Sequence, residues 1–180
     1  MIQKSVLAAI SAPTFILTFP HLEQATWSKI LSKSKENLEL NEQLEFLGDA
    51  VMYACVAAGL LAQIPQASPG VLTVLRGPLT TNATFAHLID KLDLPSVAEG
   101  SSLPMSDFFR RPSSKSPFKS KTEVKRAADA FEVVCGAIYL QDGYLPLCNW
   151  VLDTFRPLIS AAYRSYNHWS ASVARPFTKF

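Results

Sequence analysis

Residues 44–64 read LEFLGDAVMYACVAAGLLAQI, and over these twenty-one positions the only charges are Glu45 and Asp49. A helix this apolar on every side is buried over most of its surface, so the rest of the chain must supply the elements that cover it. Glu45 and Asp49 are four residues apart and so share one helical face, a turn from each other. Glu42, three residues before Glu45, continues that stripe. No Lys or Arg lies between Lys35 and Arg76, so no local cation neutralises the acids. Adjacent carboxylates in a low-dielectric place repel, and one pKa rises unless a cation intervenes.

A second segment repeats the pattern. In residues 127–140, AADAFEVVCGAIYL, the only charges are Asp129 and Glu132, three apart on one helical face. The economical explanation is that the two pairs face each other across a core and share a divalent cation. All-oxygen ligation suits Mg2+, with Mn2+ as a substitute, rather than zinc. No His lies near either pair, which argues against a di-iron bundle. The competing explanation is a set of buried ion pairs with Lys125, Arg126 or Arg76. Glu42 taken alone is explained equally well as a surface acid near a helix start. Gly48 and Gly136 sit inside the same two helices, each costing about 1 kcal/mol relative to Ala. Close helix–helix or chain–chain approach would compensate.

Helical periodicity dominates the remainder, so the expected fold class is all-α. Helices are predicted over about 22–32, over 40–64 up to Pro65, and over 69–92 with a break at Gly77-Pro78. Two more are predicted over 121–140, ending at Asp142-Gly143, and over 144–166, where Pro157 should kink or split the helix. The domain layout follows: 1–34 as a segment packing on the domain, 35–166 as the domain proper, and 167–180 as a tail. A 180-residue chain with 48% apolar and 18% charged residues is one globular domain, not a disordered tail, a collagen-like repeat or a charged coiled coil. No uninterrupted apolar run reaches membrane-spanning length. The start of the chain carries only a weak apolar run, Val6 to Ile10, cut by Pro13 and without Arg, which fits neither a secretory leader nor a mitochondrial presequence. Cys55, Cys135 and Cys148 have no metal-ligand spacing and read as buried thiols of an intracellular protein, in cytoplasm or nucleus or in an organelle. His21, His87 and His168 are isolated and read as surface or packing residues.

The net charge of +2 says little, but its distribution says more. Residues 101–120 turn to Ser, Pro, Phe and base, and read as a long loop. Arg110, Arg111, Lys115, Lys119, Lys121, Lys125 and Arg126 are seven of the seventeen Lys and Arg, and Glu123 is the only acid among them. Such a run is either a solvated loop or an arm that contacts phosphates; a local cluster attracts a polyanion even near zero net charge.

At this point the residues match a known pattern. Asn41-Glu42-Gln43-Leu44-Glu45-Phe46-Leu47-Gly48-Asp49-Ala50-Val51 resembles the ribonuclease III signature with one change. Ala128-Asp129-Ala130-Phe131-Glu132, followed by Gly136-Ala137-Ile138-Tyr139-Leu140, resembles the family's second acidic motif. Leu72-Thr73, Leu75-Arg76 and Asn82 resemble the stretch that joins the two. The resemblance covers roughly residues 35–155. It implies an all-α endonuclease domain that cuts double-stranded RNA in Mg2+, leaving 5′-phosphate and 3′-hydroxyl ends. By position it makes Glu45, Asp49, Asp129 and Glu132 the metal-binding catalytic set, with Glu42 and Lys125 accessory. It also implies a homodimer with Phe46 and Gly48 at or near the subunit contact.

Three departures bear on substrate grip. Gln43 replaces an Arg, Ser68-Pro69-Gly70 lacks the acid of a Ser-Glu-Gly, and Ala25-Thr26-Trp27-Ser28 stands where a Thr-His-Arg/Lys-Ser element is usual. Fourteen residues follow Tyr166, too few for a double-stranded RNA-binding domain. The expectation is that RNA is held by the catalytic domain itself, by the 110–126 arm or by a partner, with weak, salt-sensitive binding. Two other readings compete: a catalytically silent RNA-binding or ribosomal subunit of the same family, and an all-α nucleotide pyrophosphatase. Retention of all four acids disfavours the first; the signature string and basic arm disfavour the second.

Overall fold

The computed structural model describes residues 1–92, 118 and 120–173. Helices α1 (Ile2–Ser11), α2 (Gln24–Leu31), α3 (Lys35–Gln63), α4 (Pro69–Leu79) and α5 (Asn82–Asp90) precede α6 (Lys121–Asp142) and α7 (Tyr144–Val173). The described residues contain no β-strand, only an isolated bridge between Leu17 and Leu92. The fold is all-α.

The apolar run becomes the middle of α3, which packs on α6 and α7, while α5 covers α6 from the other side. Leu44, Met52, Cys55, Val56 and Leu60 of α3 join Phe131, Val134 and Ile138 of α6 in the core. Phe131, beside Glu132, is held by rings: Phe85 of α5 stacks at 4.8 Å, and Phe19 lies at 5.8 Å. The N-terminal segment closes this core. Val6 and Ile10 of α1 are buried against α7, Gln3 Nε2 donates to Thr84 Oγ1 at 2.9 Å, and Trp150 Nε1 donates to the Thr18 carbonyl at 2.8 Å.

Three helix boundaries differ from expectation, each for a local reason. Helix α3 begins at Lys35 rather than near residue 40, because Ser34 caps it: its Oγ accepts from the Asn37 amide at 3.3 Å, with Glu36 in the first turn. The 69–92 region does not break at Gly77-Pro78. Pro78 falls in the last turn of α4, where it forfeits the one bond to the Val74 carbonyl without interrupting any following turn, and the break comes at Thr80-Thr81. There Thr81 caps α5 by accepting from the Thr84 amide at 3.2 Å, and Thr84 Oγ1 donates to the Pro78 carbonyl at 2.7 Å. Helix α7 passes Pro157 unbroken and continues to Val173. Gln63 Nε2, at the end of α3, clasps this stretch by donating to the Arg156 carbonyl at 3.0 Å and to Ser160 Oγ at 2.6 Å. The end of α6 falls where the sequence places it: Gly143 has φ 85°, the left-handed region that favours glycine, and its N–H returns to the Tyr139 carbonyl at 2.9 Å.

The three cysteines are buried and unpaired. Burial pushes the Cys55 thiol up to about 12.

Candidate metal centre

The site is made by a crossing of α3 and α6 at their glycines. A Cβ on Gly48 would run into the Glu132 carbonyl, 2.6 Å from its carbon, and one on Gly136 would run into the Leu44 carbonyl. The two backbones therefore touch, which accounts for both glycines within one chain. Gly48 is buried in this crossing, and the side of it that a side chain would occupy faces α6.

Touching backbones bring the acid pairs together. Glu45 and Asp49 of α3, Asp129 and Glu132 of α6, and Glu42 line one open cleft of about 590 Å³ with Phe46, Asn82 and Lys125. Within it, one carboxylate oxygen each from Glu45, Asp129 and Glu132 lie within 4.8 Å of one another. Asp49 is more exposed and stands outside that tight group. Glu132 is 7% exposed. Its burial, and then the charges of Asp49, Asp129 and Glu45, push its carboxyl up to about 8, and Lys125 offsets only part of this.

Lys125 shows what the cluster demands. Its ammonium donates to both oxygens of Asp129 at 2.8 Å and to Glu45 Oε1 at 3.2 Å. These bonds, that to Asp129 foremost, raise its pKa. The ion-pair explanation thus holds in part, through Lys125 and not through arginine; Arg76 lies over the Tyr53 ring at 5.4 Å. One ammonium cannot balance four carboxylates, and Glu132 makes no ion pair with it. The residues fit a divalent cation: the donors are hard oxygens, three converge, and the deepest holds a proton for want of positive charge.

Lys121 and Arg126 are exposed on the first turns of α6. Arg110, Arg111, Lys115 and Lys119 of the basic run lie outside the described residues. Phe46 is 81% exposed. Asn82 was not singled out as a site residue, yet it lines the cleft from the first position of α5. The sequence signal for it is its place in the stretch that resembles the link between the two acidic motifs.

The Ribonuclease III domain model matches residues 42–143, from Glu42 to the glycine that ends α6, and so spans both acidic pairs and the crossing between them. The chain belongs to the ribonuclease III family. Among its relatives, the Ribonuclease 3 of Nitrosococcus oceani is 37% identical over 133 residues, covering 74% of this chain and 48% of that protein. The Ribonuclease 3 of Anoxybacillus flavithermus is 33% identical over 142 residues, 77% of this chain and 54% of its own length. That of Natranaerobius thermophilus is 28% identical over 139 residues, 77% and 56% respectively. The chain spans about half the length of the curated ribonuclease III relatives it matches.

Proposed function

We propose that this chain is a Mg2+-dependent endoribonuclease that hydrolyses double-stranded RNA to products with 5′-phosphate and 3′-hydroxyl ends. The observation that carries the reading is the convergence of Glu45, Asp129 and Glu132 beside Asp49, in a cleft open to a long substrate. Glu45, Asp129 and Glu132, with Asp49 beside them, would hold the cation, with Mn2+ able to substitute. When bound, it would supply an activated water and charge relief on the leaving oxygen. The protein's own groups do the rest. Glu132, proton-holding at neutral pH without a cation, is suited to orient the attacking water once its proton is displaced. Lys125, already at the cleft wall, is placed to pair with the phosphate being cut when it leaves Glu45 and Asp129. Glu42 at the rim serves as the accessory acid.

The reading includes a homodimer. Phe46, 81% exposed, shares α3 with the exposed apolar side chains of Tyr53 and Leu61, a face on which a second copy could pack. The three unpaired cysteines support an intracellular, reducing setting. The test is incubation of the chain with a long labelled duplex RNA, with and without Mg2+, followed by end analysis. Expected are Mg2+-dependent cuts with the stated ends, abolished by Glu132→Gln. Equal cutting by Glu132→Gln, or none by the parent, overturns the reading.

A further inference from the structure

Beside the acidic cleft lies a second groove of about 500 Å³, lined by Asn82, Phe118, Ser120, Lys121, Val124 and Lys125. Asn82 and Lys125 belong to both, so the two are continuous. Their chemistry differs sharply. The cleft is walled by carboxylates, whereas among the described residues the groove is lined by no carboxylate and combines a ring, an aliphatic side chain, an amide and two lysines. Phe118 is half-buried and rests against the His87 ring of α5 at 5.7 Å; His87 is itself held by a 2.7 Å hydrogen bond between Nδ1 and the Ala83 carbonyl. Lys125 is committed to Glu45 and Asp129, but Lys121 has no carboxylate partner among the described residues. The Asn82 side chain is exposed and makes no hydrogen bond to another described residue.

A paired base inside a duplex offers such a groove nothing, because both its faces are stacked and its edge is occupied. An unpaired nucleotide offers a π-face for Phe118, a base edge for Asn82 and a phosphate for Lys121, which is how single-stranded positions of RNA are ordinarily held. Resting on the ribonuclease reading of the neighbouring cleft, we infer that this groove binds an unpaired nucleotide of the RNA strand adjoining the scissile phosphate. The base lies against Phe118 and Val124, Asn82 meets its edge, and Lys121 meets its phosphate. The enzyme therefore favours duplexes with a bulged or unpaired position next to the cut over fully paired ones.

The test compares binding, without divalent cation so that no cutting intervenes, of two fluorescent RNAs: a duplex with one unpaired adenosine and the same duplex fully paired. The parent chain should hold the bulged RNA about tenfold more tightly, the scale of one base–aromatic stack. Phe118→Ala should bring that ratio to about one, and Phe118→Trp should restore it and show indole quenching on binding. Lys121→Ala should reduce the dependence of log affinity on log salt by about one unit, reflecting one lost phosphate contact. A ratio near one in the parent, or one unchanged in Phe118→Ala, overturns the inference. Thermal unfolding of each variant separates a misfolded protein from a lost contact, and the unquenched indole of a folded Phe118→Trp would also count against it. A chain that prefers bulged RNA yet cuts no duplex in Mg2+ refutes the nuclease reading while leaving the nucleotide groove standing.

Discussion

Gly48→Ala puts the geometry of the α3–α6 crossing to a quantitative test. In a free helix the change would stabilise by about 1 kcal/mol, because Ala forms helix better than Gly. Here the added methyl would sit 2.6 Å from the carbonyl carbon and 3.1 Å from the Cα of Glu132. Carbon atoms rest about 3.5–4.0 Å apart, so the helices must separate by about 1 Å. Overpacking of this kind costs about 1–3 kcal/mol, and both obstructing atoms are backbone, which has no rotamer to escape into. With obstruction by backbone placing the cost at the upper end, about 3 kcal/mol, the net effect after the helix-propensity gain is destabilisation by about 2 kcal/mol, or a fall of roughly 4–8 °C in Tm for a chain of this size. The same separation draws Glu45 away from Asp129 and Glu132, and a misplacement of about 1 Å is enough to cost roughly a hundredfold in rate. Urea unfolding measures the first effect; Mg2+ titration by calorimetry and the rate of RNA cutting measure the second. Gly77→Ala is the control: its added Cβ meets nothing within 4 Å, so it should be neutral or stabilising. A Gly48→Ala protein as stable as the parent, with undiminished Mg2+ affinity, would refute the backbone-contact account.

Further expectations follow from the charges and the exposed face. The folded Glu132 carboxyl holds its proton to about pH 8, whereas its ordinary value is 4.5. Between those values the folded state binds more protons, so the cation-free protein loses stability as pH rises, by up to roughly 1.4 kcal/mol per pH unit. Urea midpoints measured across this window should fall in the parent and stay flatter in Glu132→Gln. Cation binding must displace the same proton, so Mg2+ affinity should rise with pH up to about 8. Lys125→Met removes the ammonium that competes for Glu45 and Asp129. It should tighten Mg2+ binding severalfold by calorimetry while slowing RNA cutting; the stability change should stay within about 1 kcal/mol, because the lysine is largely exposed. Phe46→Glu places a charge on the exposed face of α3 and should yield a monomer in sedimentation equilibrium, where the proposed homodimer predicts a dimer for the parent.

Charges are so sparse over residues 44–64 of α3 and 127–140 of α6 that each is conspicuous, and this made the acid pairs and their shared face readable from the chain. The glycines could be read as marks of close approach, but not which backbone approached; only the packed helices show that Gly48 meets Glu132 and Gly136 meets Leu44. The Lys125–Glu45 contact joins residues eighty positions apart and no local pattern encodes it. Asn82 gains its role only because α5 packs alongside α6. The first turn of α3 was lost because Lys35 to Glu39 is polar, so its start is marked by the Ser34 cap and not by apolar spacing. Pro78 and Pro157 misled in the opposite sense. Proline forbids a hydrogen bond but does not end a helix that tertiary contacts hold, as Gln63 does beside Pro157.

The central claim is that the carboxylates of α3 and α6 form a cation site. Its most direct test is a crystal grown in Mn2+ with anomalous scattering recorded. The account predicts a peak bound by Glu45, Asp129 and Glu132, with the Lys125 ammonium moved off Glu45 and Asp129. A map in which Lys125 keeps both carboxylates and no manganese lies among them would contradict it.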